Sequence, residues 1–357
     1  MAEGEDSAPE LPSIEVELVD KSEKLPDEDV IHLEIEEDLE EPGMFRISLN
    51  DVMDQKTQNP RWSEETGIQP GNKVKITIGF VSDSDNKTLS FIGLIKSIGI
   101  QGGGASGASL ELWGYDLAYD LKKKDTAGFI YNDKKYSEIV TELAGNSKLK
   151  TDKIETSTLT YENITRYPGE SDFAFLKKMS GEIGFESFVQ EESLYFRKPK
   201  DTTKGKITFG KDDIISFSPT MSTAAVVSEL TVNSWDVKKK EMITGKATLD
   251  DIKSGVGIKE FATAAKKFKD VKLTMGDRVL RSAEEAKNVA VVELKRRNQG
   301  FIEAGLECKG NPELRPGMTV NVEEMGESFN GVYYIERATH TIGANGYTTT
   351  LGLRGCL

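Results

Sequence analysis

A short β-strand unit occurs twice in this chain, and it constrains the fold more than any other sequence feature. The first copy begins at Pro70 and Gly71, which are turn residues. Apolar residues then alternate with polar ones, with the period of a half-buried strand, at Val74, Ile76 and Ile78. After the polar run SDSDNK a second strand carries Phe91, Gly93 and Ile95.

The second copy lies near the C-terminus, with a shorter loop between its strands. The spacing of the first turn and strand recurs at Pro316, Gly317, Val320 and Val322. Phe329 and Gly331 then repeat Phe91 and Gly93, with Val332, Tyr333 and Ile335 in the strand that follows. The repeat predicts two similar β domains with other material between them. Two chance hairpins are the alternative, since Pro-Gly turns before strands are common.

Length and composition favour a soluble chain of several domains. The 357 residues suffice for two or more cores, and 37% are hydrophobic while 30% are charged. No apolar run is long enough to span a bilayer, and the first residues lack the pattern of a signal peptide. We therefore expect synthesis in the bacterial cytoplasm without Sec export, and no membrane insertion. The formal charge of −14 argues against specific nucleic-acid binding by a basic surface.

The N-terminal third begins with an acidic segment and continues with strands. Residues 1–29 are rich in Glu, Asp, Pro and Ser, which predicts a flexible arm, although Ile14, Val16 and Leu18 alternate and could add an edge strand. Residues 30–118 are predicted to form the first β domain. The glycine-rich residues 101–109 lack the Gly-Lys-Ser/Thr of a phosphate-binding loop, so a hairpin tip is the preferred interpretation.

Helical patterns interrupt the strands in the middle of the chain. Residues 119–204 are predicted to be an α+β domain, with a helix from Tyr136 to Gly145 capped by Ser137, and a second helix capped by Ser171 or Asp172 and ended by Gly184. An inserted segment, residues 238–299, carries a helix at 282–298. Its predicted capping box is Ser282 with Glu285. Lys295, Arg296 and Arg297 suit its C-terminal end.

Two blocks of sequence resemble the phage late control protein D family, the tail hub proteins of contractile phages and related injection machines, to which the N-terminal part of VgrG is similar. One block is ESDFAFLKKMSGEIGFESFVQEESLYF, and the other runs from Arg281 to Gly355. The residues of the second block that match are Glu285, Ala286, Gly310, Pro312, Leu314, Pro316, Gly317, Val320, Phe329, Gly331, Tyr333, His340, Gly346, Tyr347, Thr349 and Leu351. Arg166 and Tyr167 depart from the family, which often has Gln there.

The resemblance implies a mainly β fold with α+β insertions: two tail-tube-like antiparallel β-barrels plus smaller α+β domains. It implies that the second barrel is discontinuous and combines residues 205–237 and 300–357. The implied function is a structural hub in a virion tail or injection-particle baseplate. Three copies would form a homotrimer that joins a hexameric inner tube to a trimeric spike, alongside other baseplate proteins. The chain stops soon after its last strand, so we expect no fused spike module.

No catalytic, cofactor-binding or metal site is predicted. The two histidines, His32 and His340, belong to no HExxH or zinc pattern, and Cys308 and Cys356 lack metal-ligand spacing. We interpret His340 as a strand or interface histidine. The alternatives to a hub are a tail-associated cell-wall hydrolase and a β-rich carbohydrate-binding adhesin. A catalytic constellation would favour the first. Exposed aromatic platforms would favour the second, but Trp62, Trp113 and Trp235 sit in or beside strand patterns.

Overall fold

The computed structural model describes residues 11–50, 62, 67–81, 87–102, 108–123, 127–200, 205–224, 226–237, 239–252, 271–276 and 279–355. The strands are β1 Pro12–Leu18, β2 Glu23–Leu25, β3 Val30–Asp38, β4 Met44–Asn50, β5 Lys73–Phe80, β6 Leu89–Gly102, β7 Ala108–Asp116, β8 Phe129–Lys135, β9 Lys150–Ile154, β10 Thr160–Arg166, β11 Glu186–Gln190, β12 Ser193–Arg197, β13 Ile207–Phe209, β14 Ile214–Met221, β15 Glu229–Asp236, β16 Glu241–Thr248, β17 Lys272–Met275, β18 Ile302–Lys309, β19 Thr319–Val322, β20 Gly331–Gly343 and β21 Gly346–Gly355. The helices are α1 Tyr136–Asn146, α2 Asp172–Ile183 and α3 Ala283–Asn298.

One 13-stranded sheet dominates the structure, and it contains the same arrangement of strands twice. Its order is β14-β18-β21-β20-β3-β4-β7-β6-β5-β1-β2, with β19 on β20 and β13 on β19. We call β1–β7 the first half and β13, β14 and β18–β21 the second half. The run β3-β4-β7-β6-β5-β1 corresponds to β14-β18-β21-β20-β19-β13. The predicted mainly β fold with α+β insertions is confirmed, while the pairings of the described residues close neither half into a barrel.

The repeated Pro-Gly turns make the same backbone hydrogen bonds. The Gly71 N–H donates to the Ile95 carbonyl (2.7 Å), and the Gly317 N–H donates to the Ile335 carbonyl (2.9 Å). Both glycines have positive φ, 100° and 81°, a conformation that favours glycine. At Gly317 a Cβ would also lie 2.4 Å from Nη2 of Arg197. The two Pro-Gly turns of the repeat are therefore structurally equivalent.

Irregularities in the ladders recur at corresponding positions. The β6–β7 register shifts between Ile95 and Ser97, and the β20–β21 register shifts between Ile335 and Arg337. In the same way β3 shifts against β4 just after Val30, and β14 shifts against β18 just after Ile214. Bulges bend and twist a strand locally, so the two halves share the positions of these irregularities as well as their strand order.

The Phe-x-Gly part of the predicted repeat is wrong by two residues. Val74 pairs with Gly93, whereas Val320, its counterpart, pairs with Tyr333. Gly93 therefore corresponds to Tyr333, not to Gly331. A Cβ at Gly93 would lie 2.7 Å from the Tyr115 carbonyl and 2.9 Å from the Phe45 ring. Gly93 permits this close contact in the first half, whereas Tyr333 occupies the corresponding position in the second half.

Each half has its own hydrophobic core. Alternating strand positions and Trp62, which lies outside the strands, supply the first core, which includes Leu18, Leu33, Ile35, Phe45, Ile47, Leu49, Trp62, Val74, Ile76, Ile78, Leu89, Phe91, Ile95, Leu110 and Leu112. The second core includes Leu230, Val232, Ala286, Ala290, Leu294, Ile302, Leu306, Leu314, Val320, Val322, Tyr333, Ile335, Leu351 and Leu353. Ile342 and Tyr347, near the β20–β21 turn, belong to the first core, so the two cores meet at this hairpin.

The N-terminal segment differs from the predicted flexible arm. Residues 12–18 form β1, which pairs along β5 from Pro12 opposite Phe80 to Leu18 opposite Val74. Val16 and Leu18 are fully buried. The alternating apolar residues outweigh the acidic composition because their burial against the sheet stabilises the strand. Residues 1–10 lie outside the described residues.

The α+β unit between the halves contains the predicted helices. The Ser171 hydroxyl accepts from the Ala174 N–H at the start of α2, and Gly184 ends the helix with φ 69°. Helix α1 begins one residue after Lys135, and Glu138 accepts from the Lys135 N–H, so Ser137 is not its cap. Ser137 is instead buried, where its N–H donates to the Ser157 hydroxyl.

The segment inserted into the second half has a sheet of its own. Strand β15, predicted to belong to the second barrel, pairs instead with β16 and β17. Helix α3 packs on this sheet, and its Ala286 and Ala290 are fully buried. Gly245 permits the close approach, since a Cβ there would lie 2.1 Å from the Ala286 backbone. The N-cap of α3 is Ser282, which accepts from the Glu285 N–H as predicted. The second half of the predicted capping box is not formed, because the Glu285 carboxylate accepts from the Arg281 N–H and not from that of Ser282.

Candidate assembly interface

The two halves are joined strand to strand. The part of β20 beyond its bulge pairs antiparallel with β3, from Arg337 opposite Asp38 to Ile342 opposite Leu33. The Leu39 N–H donates to the Glu336 carbonyl (3.0 Å) at the end of this ladder. We call this contact the internal joint. It shows that one edge of this β unit can accept the strand of a second unit.

A buried ion pair between Arg315 and Glu37 stabilises the internal joint. The Arg315 guanidinium, which lies just before the second Pro-Gly turn, reaches across to β3. Its Nε donates to Oε2 of Glu37 at 2.9 Å, its Nη2 donates to Oε1 at 2.5 Å, and Nη2 also donates to the Ser90 carbonyl. Glu37 is only 6% exposed. Such bidentate contacts fix geometry as well as charge.

His340 lies in the internal joint, opposite Ile35. The ring is fully buried. Its Nδ1 lies 2.8 Å from the Tyr347 hydroxyl and its Nε2 lies 3.0 Å from the Leu314 carbonyl. Burial lowers the pKa of the imidazole from 6.5 to about 4, against the opposing effect of Glu37. Both ring nitrogens therefore serve contacts within the protein, consistent with its interpretation as a strand histidine.

The α+β unit is bound to the second half by a separate polar network. Glu186 on β11 accepts from Nε of Arg197 (2.7 Å) and from the Tyr334 hydroxyl (2.5 Å). Arg197 also donates to the Gly317 carbonyl (3.0 Å), and the Arg354 guanidinium stacks over the Tyr334 ring. Burial raises the pKa of the Glu186 carboxyl, although these donors oppose that effect. The Pro-Gly turn of the second half is thus held by the neighbouring domain.

Several strand edges of the main sheet remain unpaired among the described residues, including the outer edges of β2 and β13. Two more are the edge of β14 that faces away from β18 and the edge of β6 beyond its bulge, residues 97–102, where β7 is the only described partner. Unpaired edges present backbone N–H and C=O groups that can bind another strand. Such edges are therefore candidate binding surfaces.

Within the residues that the structure describes, no group of three or more His, Cys, Asp or Glu side chains is placed so that it could hold a metal ion. Cys308 is buried, which raises the pKa of its thiol to about 12, and Cys356 lies outside the described residues. His32 is partly exposed and 4.0 Å from Glu34. No described helix is long and apolar enough to cross a bilayer.

The aromatic and basic residues singled out in the sequence lie apart. Trp62 is buried, whereas Trp113 on β7 and Trp235 on β15 are about half exposed and belong to different sheets. Arg46 lies over the Trp113 ring. At the end of α3, Arg296 and Arg297 both bind Glu293. Of the glycine-rich loop, residues 103–107 lie outside the described residues.

Sequence reasoning missed the charged residues of the interface. Arg315 falls on an unspecified position of the resemblance, between Leu314 and Pro316. For Glu37 the sequence did contain a signal of burial. It continues the inward phase of Leu33 and Ile35 on β3, so a carboxylate at that position must find a buried partner.

Comparison with known proteins identifies one family and one fold. Residues 12–344 match the family model described as the Alg8 N-terminal domain. No curated protein matches the sequence. Among solved structures, a 43 kDa tail protein of prophage MuSo2 from Shewanella oneidensis is similar, with 14% identity, a TM-score of 0.69 and coverage of 96% of this chain and 98% of that one.

Two further structures share the fold. A tail protein from Neisseria meningitidis MC58 has 14% identity and a TM-score of 0.70, with 96% of both chains covered. The E. coli c3393 protein has 12% identity and a TM-score of 0.56, with 91% of this chain and 73% of that chain covered. It is described as a component of the type VI secretion system, similar in structure to bacteriophage T4 tail proteins gp27 and gp5. The fold is therefore that of phage tail proteins.

Proposed function

The chain belongs to the Alg8 N-terminal domain family, and from its duplicated β framework and tail-protein fold we propose that it is a structural hub of a contractile tail or injection machine. Three copies form a ring that joins a hexameric inner tube to a trimeric spike. The observation that carries this proposal is the internal joint, which holds two equivalent β units side by side in one continuous sheet. The resemblance to late control protein D supports the same function.

The duplication accounts for the match between two symmetries. Three chains with two β units each present six similar units to a six-fold tube, while the ring as a whole keeps three-fold symmetry for the spike. A contact between different surfaces must close into a ring or grow into a filament. A closed ring meets the geometric need of a tube end.

The binding surfaces are strand edges and the loops at the ends of the β halves. Open backbone groups there can pair with strands of the tube, the spike or other baseplate proteins. The net charge of −14 disfavours retention of a nucleic acid in the lumen of such a ring. An acidic chain therefore suits a ring that does not retain nucleic acid.

Stoichiometry tests the hub proposal directly. Light scattering on the purified protein, alone and with its spike protein, is expected to give a mass of three chains. Electron microscopy of the assembled particle is expected to show six β units around the axis. A chain that stays monomeric with its spike, or one β unit per chain around the axis, would contradict the proposal.

We propose further that the protein has no catalytic activity of its own. Incubation with purified peptidoglycan and with casein is expected to release no more product than buffer. Turnover that disappears on His340→Ala, or on alanine substitution of a single Glu, would instead support a tail-associated hydrolase.

A further inference from the structure

The internal joint provides a template for a contact that one chain cannot complete. The matching bulges align Ile335 with Ile95, so Arg337 on β20 corresponds to Ser97 on β6. The matching shifts at Val30 and Ile214 align Asp38 on β3 with Ser222, just after β14. The internal joint pairs β20 with β3. Its counterpart is a pairing of β6 with β14, and both of these edges are open among the described residues.

The backbone groups of the open β14 edge face the required way. In the internal joint the Leu39 N–H bonds to the Glu336 carbonyl, so odd-numbered residues of β3 face β20. The Ser222 N–H donates to the Phe301 carbonyl (2.9 Å), so even-numbered residues at the end of β14 face β18. Because neighbouring strand residues face opposite edges, Phe217, Pro219 and Met221 face outward. They hold the positions of Leu33, Ile35 and Glu37 in the template.

The side chains of the open edges also favour a strand partner. Natural edge strands are protected by charged residues, by proline or by bulges, and β14 contains one such residue, Pro219. Strand β14, IISFSPTM, contains no charged residue, and neither does the segment SIGIQG of β6, in a chain that is 30% charged. Ile100 is 62% exposed, whereas His340, its counterpart in the internal joint, is fully buried. A partner strand over this edge would bury Ile100 in the same way.

We propose that residues 97–102 of one copy pair antiparallel with β14 of a second copy, with Ser97 opposite Ser222 and Gly102 opposite Phe217. The contact repeats the internal joint between chains and so continues the sheet from one copy to the next. Pro219 faces this edge and has no N–H, so the ladder lacks one hydrogen bond. Pro219 still accepts through its carbonyl. The number of copies in the ring rests on the proposed hub function, whereas the pairing rests on the template.

Crosslinking tests this register. Arg337 and Asp38 flank the hydrogen-bonded pair of Glu336 and Leu39, so Ser97 and Ser222 occupy a non-hydrogen-bonded pair. Cα atoms in such pairs are about 4.5 Å apart, close enough for a disulfide. In a Cys356→Ser background, Ser97→Cys with Ser222→Cys is expected to give disulfide-linked dimers and trimers on a non-reducing gel after mild oxidation. These species disappear on reduction.

The matched control is Ser97→Cys with Ser218→Cys. It adds the same two thiols to the same strands, but four residues out of register, about 13 Å along the strand. We expect little or no linked species. Equal linkage of both variants, or of neither while light scattering still gives a mass of three chains, would overturn the edge pairing and leave the hub proposal standing. A chain that is monomeric alone and with its spike would overturn both.

Discussion

The two halves of the sheet share a framework but differ in how the chain enters it. In the first half β1 runs antiparallel to β5, whereas in the second half the three-residue β13 runs parallel to β19. In both halves a strand pairs with the outer edge of the first strand of the Pro-Gly unit, β5 or β19. This pairing satisfies backbone polar groups that lie next to the buried core. The framework therefore determines where a strand lies, and the preceding connection determines its direction.

The internal joint and the open edges of β14 and β6 also differ in their side-chain chemistry. The internal joint carries charged and polar pairs across it, such as Arg315 with Glu37 and Arg337 with Asp38. The corresponding positions on β14 and β6 are uncharged. A joint within a chain forms once and benefits from specific pairs. An edge that meets another copy relies on backbone pairing and apolar contact.

The largest expected effect comes from breaking the ion pair of the internal joint. Arg315→Ala leaves Glu37 buried without its partner, which typically costs about 3–5 kcal/mol of unfolding free energy. Urea denaturation should detect this loss. The matched control is Arg337→Ala, whose contact with Asp38 is largely solvent-exposed on the arginine side. We expect it to change stability by less than about 1 kcal/mol. Similar losses for both variants would contradict this assignment.

Removing a core contact of β1 tests whether the N-terminal strand is integral to the first half. Leu18 is fully buried, so Leu18→Ala should lower the free energy of unfolding by about 2–5 kcal/mol. Glu17→Ala, on the opposite face of the same strand, is expected to change it by less than about 0.5 kcal/mol. If Leu18→Ala were neutral in urea denaturation, the segment would be the flexible arm that its composition suggests.

His340 makes the internal joint sensitive to acid. Below pH 6.5 the unfolded chain binds a proton that the native imidazole accepts only near pH 4. The free energy of unfolding therefore decreases as the pH falls through this window, by about 1.4 kcal/mol per pH unit of pKa difference. Thermal unfolding of His340→Gln between pH 4 and 6.5 should show a shallower pH dependence than the wild type. Ile100, at the corresponding position of β6, contributes no such dependence, and an unchanged slope would contradict the prediction.

The smallest effect concerns the glycine that has no counterpart in the second half. Gly93→Ala places a methyl group against the Tyr115 carbonyl and the Phe45 ring, and overpacking of this kind costs about 1–3 kcal/mol. Gly99→Ala, on the same strand with nothing within 4 Å of the added carbon, should leave stability nearly unchanged. Calorimetry can compare the two variants. Equal melting temperatures would show that the site relaxes.

Several parts of the fold and the candidate site could be predicted from sequence because their signals are local. The Pro-Gly turns, the alternation of β5 and β19 and the caps of α2 and α3 each depend on residues a few positions apart. The strand edges of the candidate interface could not be predicted. Edges are defined by what a strand lacks on one side, and the sequence does not state its partners.

By itself the sequence determined that the chain contains two copies of one β unit with helical segments between them. Turn geometry and strand periodicity are local properties and survive in both copies. Only the tertiary structure decided that β20 pairs with β3, that β15 leaves the second half for a sheet of its own, and that Gly93 corresponds to Tyr333. These outcomes depend on contacts between residues about 300 positions apart, such as Arg337 with Asp38, whose separation is 299. Pairing partners at that distance are selected by burial and hydrogen bonding in the assembled sheet.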